Sequence, residues 1–320
     1  MSVLSAPHFH DEAAAIEKLE SIVWPDGPVC PHCGHKGETY VLKGVRTKPS
    51  KKHPKGVERH GLRACKKCRK QFTVKVGTLF EDSAIPVFKW WQAIHLLCSS
   101  KKGISSHQLH RTLQVTYKTA WFMSHRIREA MRDGSFAPMG GAGQIVEVDE
   151  TYIGRNELYK NFKTKRGFQH KNTVVTLVQR NGEARSFHVD RTRAADIVPV
   201  VKANIAKEST VATDEANYYY RLGEHFAAHG TVNHKAEEWR RGEISTNTVE
   251  GYFSIFKRGM KGVYQHCSQK HLHRYLAEFD FRYNNRSARG VEDEARTDKA
   301  ARGIVGKRLK YRDSSLGDRA

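Results

Sequence analysis

Two Cys-x2-Cys pairs, Cys30 and Cys33 in "VCPHCG" and Cys65 and Cys68 in "CKKCRK", constrain the fold of this chain more than any other feature. Each pair lets two thiolates reach one ion from a tight turn, and two pairs complete a tetrahedral S4 site. That donor set suits zinc and leaves no open coordination position, so the ion is structural rather than catalytic. The alternative is a pair of unmetallated structural knuckles. Six cysteines in 320 residues are too few for a disulfide framework, and Cys98 and Cys267 read as packing residues. Between the pairs lies the basic, Pro- and Gly-bearing segment 43–61, which reads as a protruding hairpin or loop. "HCSQKHLH" (266–273) has a spacing that fits no common metal site.

Around this ribbon, expected over 26–82, the chain divides by pattern. Residues 1–25 carry a short helix, "EAAAIEKLESI". Segment 83–132 holds three helical stretches, with Pro86 at a helix start, Ser105 or Ser106 and Thr116 as caps, and a short connection at Gln114 and Val115. Two readings fit: a helix-turn-helix whose third helix offers Tyr117, Lys118, His125 and Arg128 to DNA, or a plain helical bundle. A Gly- and Pro-bearing linker is expected at 133–143, and a flexible basic tail from 287.

Lys and Arg total 55 against 34 Asp and Glu, a formal charge of +21. Such an excess favours a polyanionic partner, nucleic acid before an acidic membrane surface. No apolar run approaches the roughly 20 residues of a membrane span, and "HFHDEAAAIEKLE" is no signal peptide. A cytoplasmic, nucleoid-associated protein is expected.

Against this positive background, "GQIVEVDETYIGR" (143–155) sets Glu147, Asp149 and Glu150 into an apolar strand. "KNTVVTLVQRNGEARSFHVD" reads as two further strands turning at Asn181-Gly182, "AADIVPVVKANIAK" as a helix interrupted at Pro199, and "STVATDEA" as a fourth strand ending at Asp214. "STNTVEGYFSIFKRGM" then opens a helix near Asn247 that puts Glu250, Ser254 and Lys257 on one polar face. Three strands, a helix, a strand and a later helix over 144–286 make an RNase H-like core, a mixed sheet with flanking helices. In that order Asp149, Asp214 and Glu250 converge. Gathered carboxylates repel and need a dication; Mg2+ or Mn2+ suits them, and two ions about 4 Å apart serve an in-line phosphoryl displacement. Lys257 would bind the phosphate backbone. Asn247 with Glu250 also matches a capping box, which needs no metal. Glu147 and Glu150 read as solvated neighbours, and His225, His229 and His234 as structural. Arg274, Arg282 and Arg286 on the last helix are further candidates for phosphate contacts.

The segments "WPDGPVCPHCG", "VEVDETYIG", "STNTVEGYFSIFKRGMKGVYQH" and "KHLHRYLAEFDFRYNNR" resemble those of the DDE transposases of bacterial insertion sequences, the ISXO-like group with an N-terminal zinc ribbon. The resemblance runs from about residue 10 to residue 286. It implies Mg2+-dependent strand cleavage at element ends and joining of the 3′-ends to target DNA, with Asp149 and Asp214 as metal ligands. Pairing two DNA ends implies at least a dimer on DNA. The third ligand is Glu250, whose separations fit the general DDE pattern, or Asn247, since this group often carries Asn there. Arg258 beside Lys257 joins Lys118 and Arg128 as an expected DNA contact. A nuclease without strand transfer and a non-catalytic DNA-binding regulator are the competing functions.

Overall fold

Short strands bring the cysteine pairs together. Thr39–Val41 (β1), Arg63–Cys65 (β2) and Gln71–Phe72 (β3) pair antiparallel in the order β1-β2-β3. The computed structural model describes residues 3–51, 53–132, 134, 137–157 and 170–309. Its chain falls into two units: residues 1–100, 106–131 and 292–320 form the first, and residues 101–105 and 132–291 the second.

In the first unit Asp11 accepts the Ala14 amide at 2.8 Å and starts Glu12–Val23 (α1). One buried cluster of the ribbon joins Cys30, Cys65 and Phe72, with Trp24 edge-on to Phe72, and Leu62, Ala64 and Val74 are buried as well. Val87–Ser99 (α2), Ser106–Leu113 (α3) and Tyr117–Ala130 (α4) follow. Pro86 stands just outside α2 with extended backbone rather than as its first helical residue. Thr116 caps α4 by accepting the Thr119 amide. Trp90, Trp91, Ile94 and Leu97 of α2 are fully buried, and Trp91 Nε1 donates to the Ala15 carbonyl.

The expected flexible tail is corrected here. Asp293–Arg302 (α8) is helical and buries Arg296, Thr297, Ala300 and Ala301. The Leu79 amide donates to the Ile304 carbonyl and the Gly306 amide to the Gly77 carbonyl, so residues 304–306 after α8 are tied down by backbone pairing. Residues 310–320, and 133, 135 and 136 of the expected linker, lie outside the described residues.

The second unit is built on a five-stranded mixed sheet. Its strands are Ile145–Ile153 (β4), Asn172–Gln179 (β5), Ala184–Val189 (β6), Thr210–Thr213 (β7) and Ala228–Thr231 (β8), in the order β6-β5-β4-β7-β8. β5 pairs antiparallel with β4 and β6, whereas β4-β7 and β7-β8 are parallel. Asn181 turns the β5-β6 hairpin at φ +55°, a conformation that Asn tolerates. The parallel β4-β7 step needs a crossover, supplied by Ala194–Asn204 (α5) with Pro199 inside it.

Period two along β4 sends Val146 and Val148 to one face, where they pack with Val175, Leu177, Ile197 and Val201. Glu147, Asp149 and Ile153 face the other way. On that side lie Asn247–Gly259 (α6) and Gln269–Asn284 (α7), packed through Val249, Phe253, Phe256, Leu272 and Phe279. A Cβ on Gly259 would come within 2.5 Å of the Phe279 ring, so glycine there allows the close approach of the two helices. The β8-α6 connection carries a small hairpin, Arg240–Arg241 (β9) with Ile244–Ser245 (β10).

Candidate active site

Asp149 lies mid-strand on β4, Asp214 follows the last residue of β7, and Glu250 is on the first turn of α6. They line one open pocket of about 370 Å³ together with His234, Phe253, Ser254 and Lys257. Parallel pairing of β4 with β7 brings the two aspartate-bearing strands side by side. Burial pushes the Asp149 carboxyl well above the usual range, and the charges of Glu150 and Asp214 push the same way; the Glu150 amide, donating to Asp149 Oδ1 at 2.7 Å, opposes them. Burial also raises Asp214, with Glu215 adding to it and the Ala216 amide, His234 and Lys235 opposing. Two crowded carboxyls held above their normal pKa form an all-oxygen donor set that a hard dication would relieve.

Glu147 and Glu150 are not solvated, which corrects the sequence expectation. Glu147 is fully buried on the Asp149 face. Its carboxylate accepts the Thr248 amide (2.7 Å), the Val249 amide (3.0 Å), the Thr248 hydroxyl (2.9 Å) and Arg180 Nε (2.9 Å). A carboxylate from the sheet thus caps α6, where the helix dipole favours negative charge, and ties the Glu250-bearing turn to the strand bearing Asp149. Arg180 completes the clamp by donating to Ser245 Oγ at 2.8 Å. Removing one partner of a buried, hydrogen-bonded ion pair costs about 3–5 kcal/mol. Glu147→Ala is therefore expected to lower the melting temperature well beyond an exposed control such as Glu224→Ala; equal melting would contradict this role. Glu150 points to the opposite face, where it accepts hydrogen bonds from the Tyr218 and Tyr219 hydroxyls.

His234 was expected to be structural, yet it lines the pocket. Its Nε2 lies 3.3 Å from Glu250 Oε1 and 3.1 Å from Thr246 Oγ1, and Thr246 Oγ1 donates to the same Glu250 oxygen at 2.9 Å. Glu250 is held by these neighbours rather than by a capping box with Asn247. Asn247 opens α6, is exposed, and does not line the pocket. His229 bonds Thr213 and matches its structural reading. Lys257 is exposed, two turns beyond Glu250, with its Nζ 5.6 Å from the centre of the Phe253 ring. Arg258 is exposed and donates to the Ser254 carbonyl.

Other expected DNA contacts divide. Tyr117 and Lys118 are exposed at the start of α4. Arg128 is only 1% exposed, with Nη1 on Ser124 Oγ, and His125 is equally buried, so neither can meet DNA. Both are corrections with one cause: the buried face of α4 is broad, taking in Ala120, Met123, Ser124, His125, Ile127 and Arg128, as in a core-facing helix. Arg282 is likewise buried, paired with Glu278 rather than presented to a phosphate at the surface.

The four cysteines meet as their spacing requires. Cys30, Cys33, Cys65 and Cys68 sulfurs lie within 4.8 Å of one another, with Cys30–Cys68 and Cys33–Cys65 both at 3.7 Å. A tetrahedron with zinc–sulfur bonds of about 2.3 Å has edges of about 3.8 Å, so the cluster fits zinc. The Cys68 and Lys67 amides lower the Cys65 thiol to about 7, predisposing it to bind metal as thiolate.

A model of the ISXO2-like transposase domain matches residues 141–284, and one of the transposase zinc-ribbon domain matches residues 10–71. The chain is 27% identical over 288 residues to a Halobacterium salinarum protein described as an uncharacterized protein in transposable element ISH50, covering 86% of this chain and 91% of that one. Among solved structures, one from the simian T-cell lymphotropic virus intasome in complex with PP2A regulatory subunit B56 gamma overlays 54% of this chain and 67% of its own at 16% identity. Its TM-score of 0.29 is too low to bear on the fold.

Proposed function

We propose that this chain is an ISXO2-like transposase with an amino-terminal zinc ribbon, which binds the ends of its element and catalyses Mg2+-dependent strand cleavage and 3′-end joining. The observation that carries this reading is the single pocket lined by Asp149, Asp214, Glu250 and Lys257. The sheet order, with its antiparallel β6-β5-β4 and parallel β4-β7-β8 parts, supports an RNase H-like core. The tight α3-α4 turn, with Gln114 at φ +50°, supports a helix-turn-helix that presents Tyr117 and Lys118.

In this reading Asp149 and Asp214 hold Mg2+ or Mn2+ from neighbouring strands, and Glu250 closes the site from α6. Bound there, the ions would activate a water or 3′-hydroxyl and neutralise the leaving oxygen. Glu147 fixes the height of α6 over β4. His234 and Thr246 hold the Glu250 carboxylate in one orientation. Lys257 supplies a cation for a non-bridging phosphate oxygen, and Arg258 for the adjacent backbone. Within the ribbon, zinc held by the four cysteines is structural. Two copies would be needed to pair two element ends.

Incubating the protein with Mg2+ and labelled DNA carrying the inverted repeats that flank its gene tests the proposal. Joined products are expected. Nicks without joining would indicate a nuclease, and a mobility shift without cleavage a regulator. A second comparison addresses the third ligand: Glu250→Gln is expected to reduce cleavage about a hundredfold or more, while Asn247→Ala changes it only severalfold. The reverse ranking would make Asn247 the ligand.

A further inference from the structure

The ribbon carries an ordered projection with no place in the reading above. Between β1 and β2, residues 42–51 and 53–62 form the two limbs of an arm. The Leu42 amide donates to the Leu62 carbonyl, Arg59 to Val45 and Thr47 to Val57, each at 2.8 Å, and Ser50 and His53 exchange backbone bonds at the tip. Arg46 bridges the limbs, with Nε on the Lys55 carbonyl and Nη2 on the Gly56 carbonyl. Gly56 (φ +67°) is what lets them close, because a Cβ there would lie 2.1 Å from the Thr47 carbonyl oxygen.

This scaffold carries a strong excess of positive charge. Residues 42–62 contain seven Lys and Arg against one acid, Glu58. Lys43, Lys48, Lys51 and Lys55 are exposed, and none forms an ion pair among the described residues. Lys52 lies outside the described residues. At about 3.3 Å per residue, a nine-residue limb reaches at most about 30 Å, and a two-stranded ribbon fits a B-DNA major groove about 12 Å wide. Binding to an acidic membrane surface would call for an apolar face to embed, and the arm offers only Val57 as a large exposed apolar side chain.

We propose that this arm is a sequence-independent clamp on duplex DNA, its limbs seated in a groove and its lysines on the bordering phosphates. It shares no residue with the carboxylate pocket and does not depend on catalysis there.

The test uses the full chain and a 30-base-pair random-sequence duplex, with binding followed by fluorescence anisotropy from 50 to 300 mM KCl. The arm variant is Lys43→Gln, Lys48→Gln, Lys51→Gln and Lys55→Gln combined. A control with the same net charge combines Lys202→Gln, Lys207→Gln, Lys270→Gln and Lys299→Gln. Zinc content and melting temperature establish that both fold. Each lost phosphate contact flattens the slope of log K against log salt by about 0.9, so the arm variant is expected to be shallower by about 3 to 4 and the control by less than about 1. An unchanged slope in the arm variant, or equal flattening in both, would overturn the proposal. So would an arm whose removal weakened binding to phosphatidylserine vesicles and left duplex binding intact.

Discussion

Asp149→Asn and Asp214→Asn are each expected to reduce cleavage and joining by about a thousandfold or more while leaving DNA binding and the fold intact. Asn keeps the size of the side chain and one carbonyl oxygen but removes the charge that holds a dication. Both carboxyls are raised in the fold, by burial first and by acidic neighbours. A carboxyl with a raised folded pKa contributes stability that is fully present below its unfolded pKa and is lost as pH rises through the folded value. The metal-free protein should therefore lose melting temperature as pH rises above the ordinary carboxylate range, and either Asn variant should lose less. Added Mg2+ should raise the melting temperature of the wild type and not of the variants. Retained cleavage in either variant would refute the site; a variant that no longer bound DNA would show that the aspartates serve the fold.

The second large effect is expected in the ribbon. Its three strands are two or three residues long, and the cluster around its cysteines holds one large apolar side chain, Phe72, with Leu62 and Val74 buried nearby in sequence. So small a core cannot offset the entropy of ordering its loops, and the ion must supply the difference. Structural zinc contributes about 10–16 kcal/mol in small zinc peptides near neutral pH. Chelation, or Cys65→Ser, should release one zinc per chain and expose the amides of residues 26–76 to hydrogen exchange, while the β4–β8 sheet stays protected. Full protection of the ribbon in zinc-free protein would contradict this.

Much of this molecule was legible in the sequence because local pattern and tertiary role agree. Period two in "IVEVDETYI" gives β4, Asn181-Gly182 gives the hairpin, and the polar stripe of Glu250, Ser254 and Lys257 gives the orientation of α6. The failures share a cause. Glu147, Glu150, Arg128 and Arg282 are charged, and charge predicts exposure only until a partner buries it: Arg180 and a helix terminus for Glu147, three tyrosines for Glu150, Glu278 for Arg282. Position carried the missing information. Glu147 is two residues before Asp149 and so shares its face; Arg128 is four after Ser124 and so shares its buried stripe. His234 could not be placed because β8 and the β9-β10 hairpin, which carry the chain from β7 back to α6, are too short to announce themselves. α8 was hidden by a polar composition in which Ala300 and Ala301 are the buried apolar residues, followed by Ile304 just beyond its end.

In the proposed mechanism Asp149 and Asp214 share divalent cations. Anomalous diffraction from crystals soaked in MnCl2 measures this directly: manganese is expected within coordination distance of both carboxylates, and absent from both in Asp149→Asn crystals. Manganese bound elsewhere while the soaked protein still cleaves DNA would contradict it.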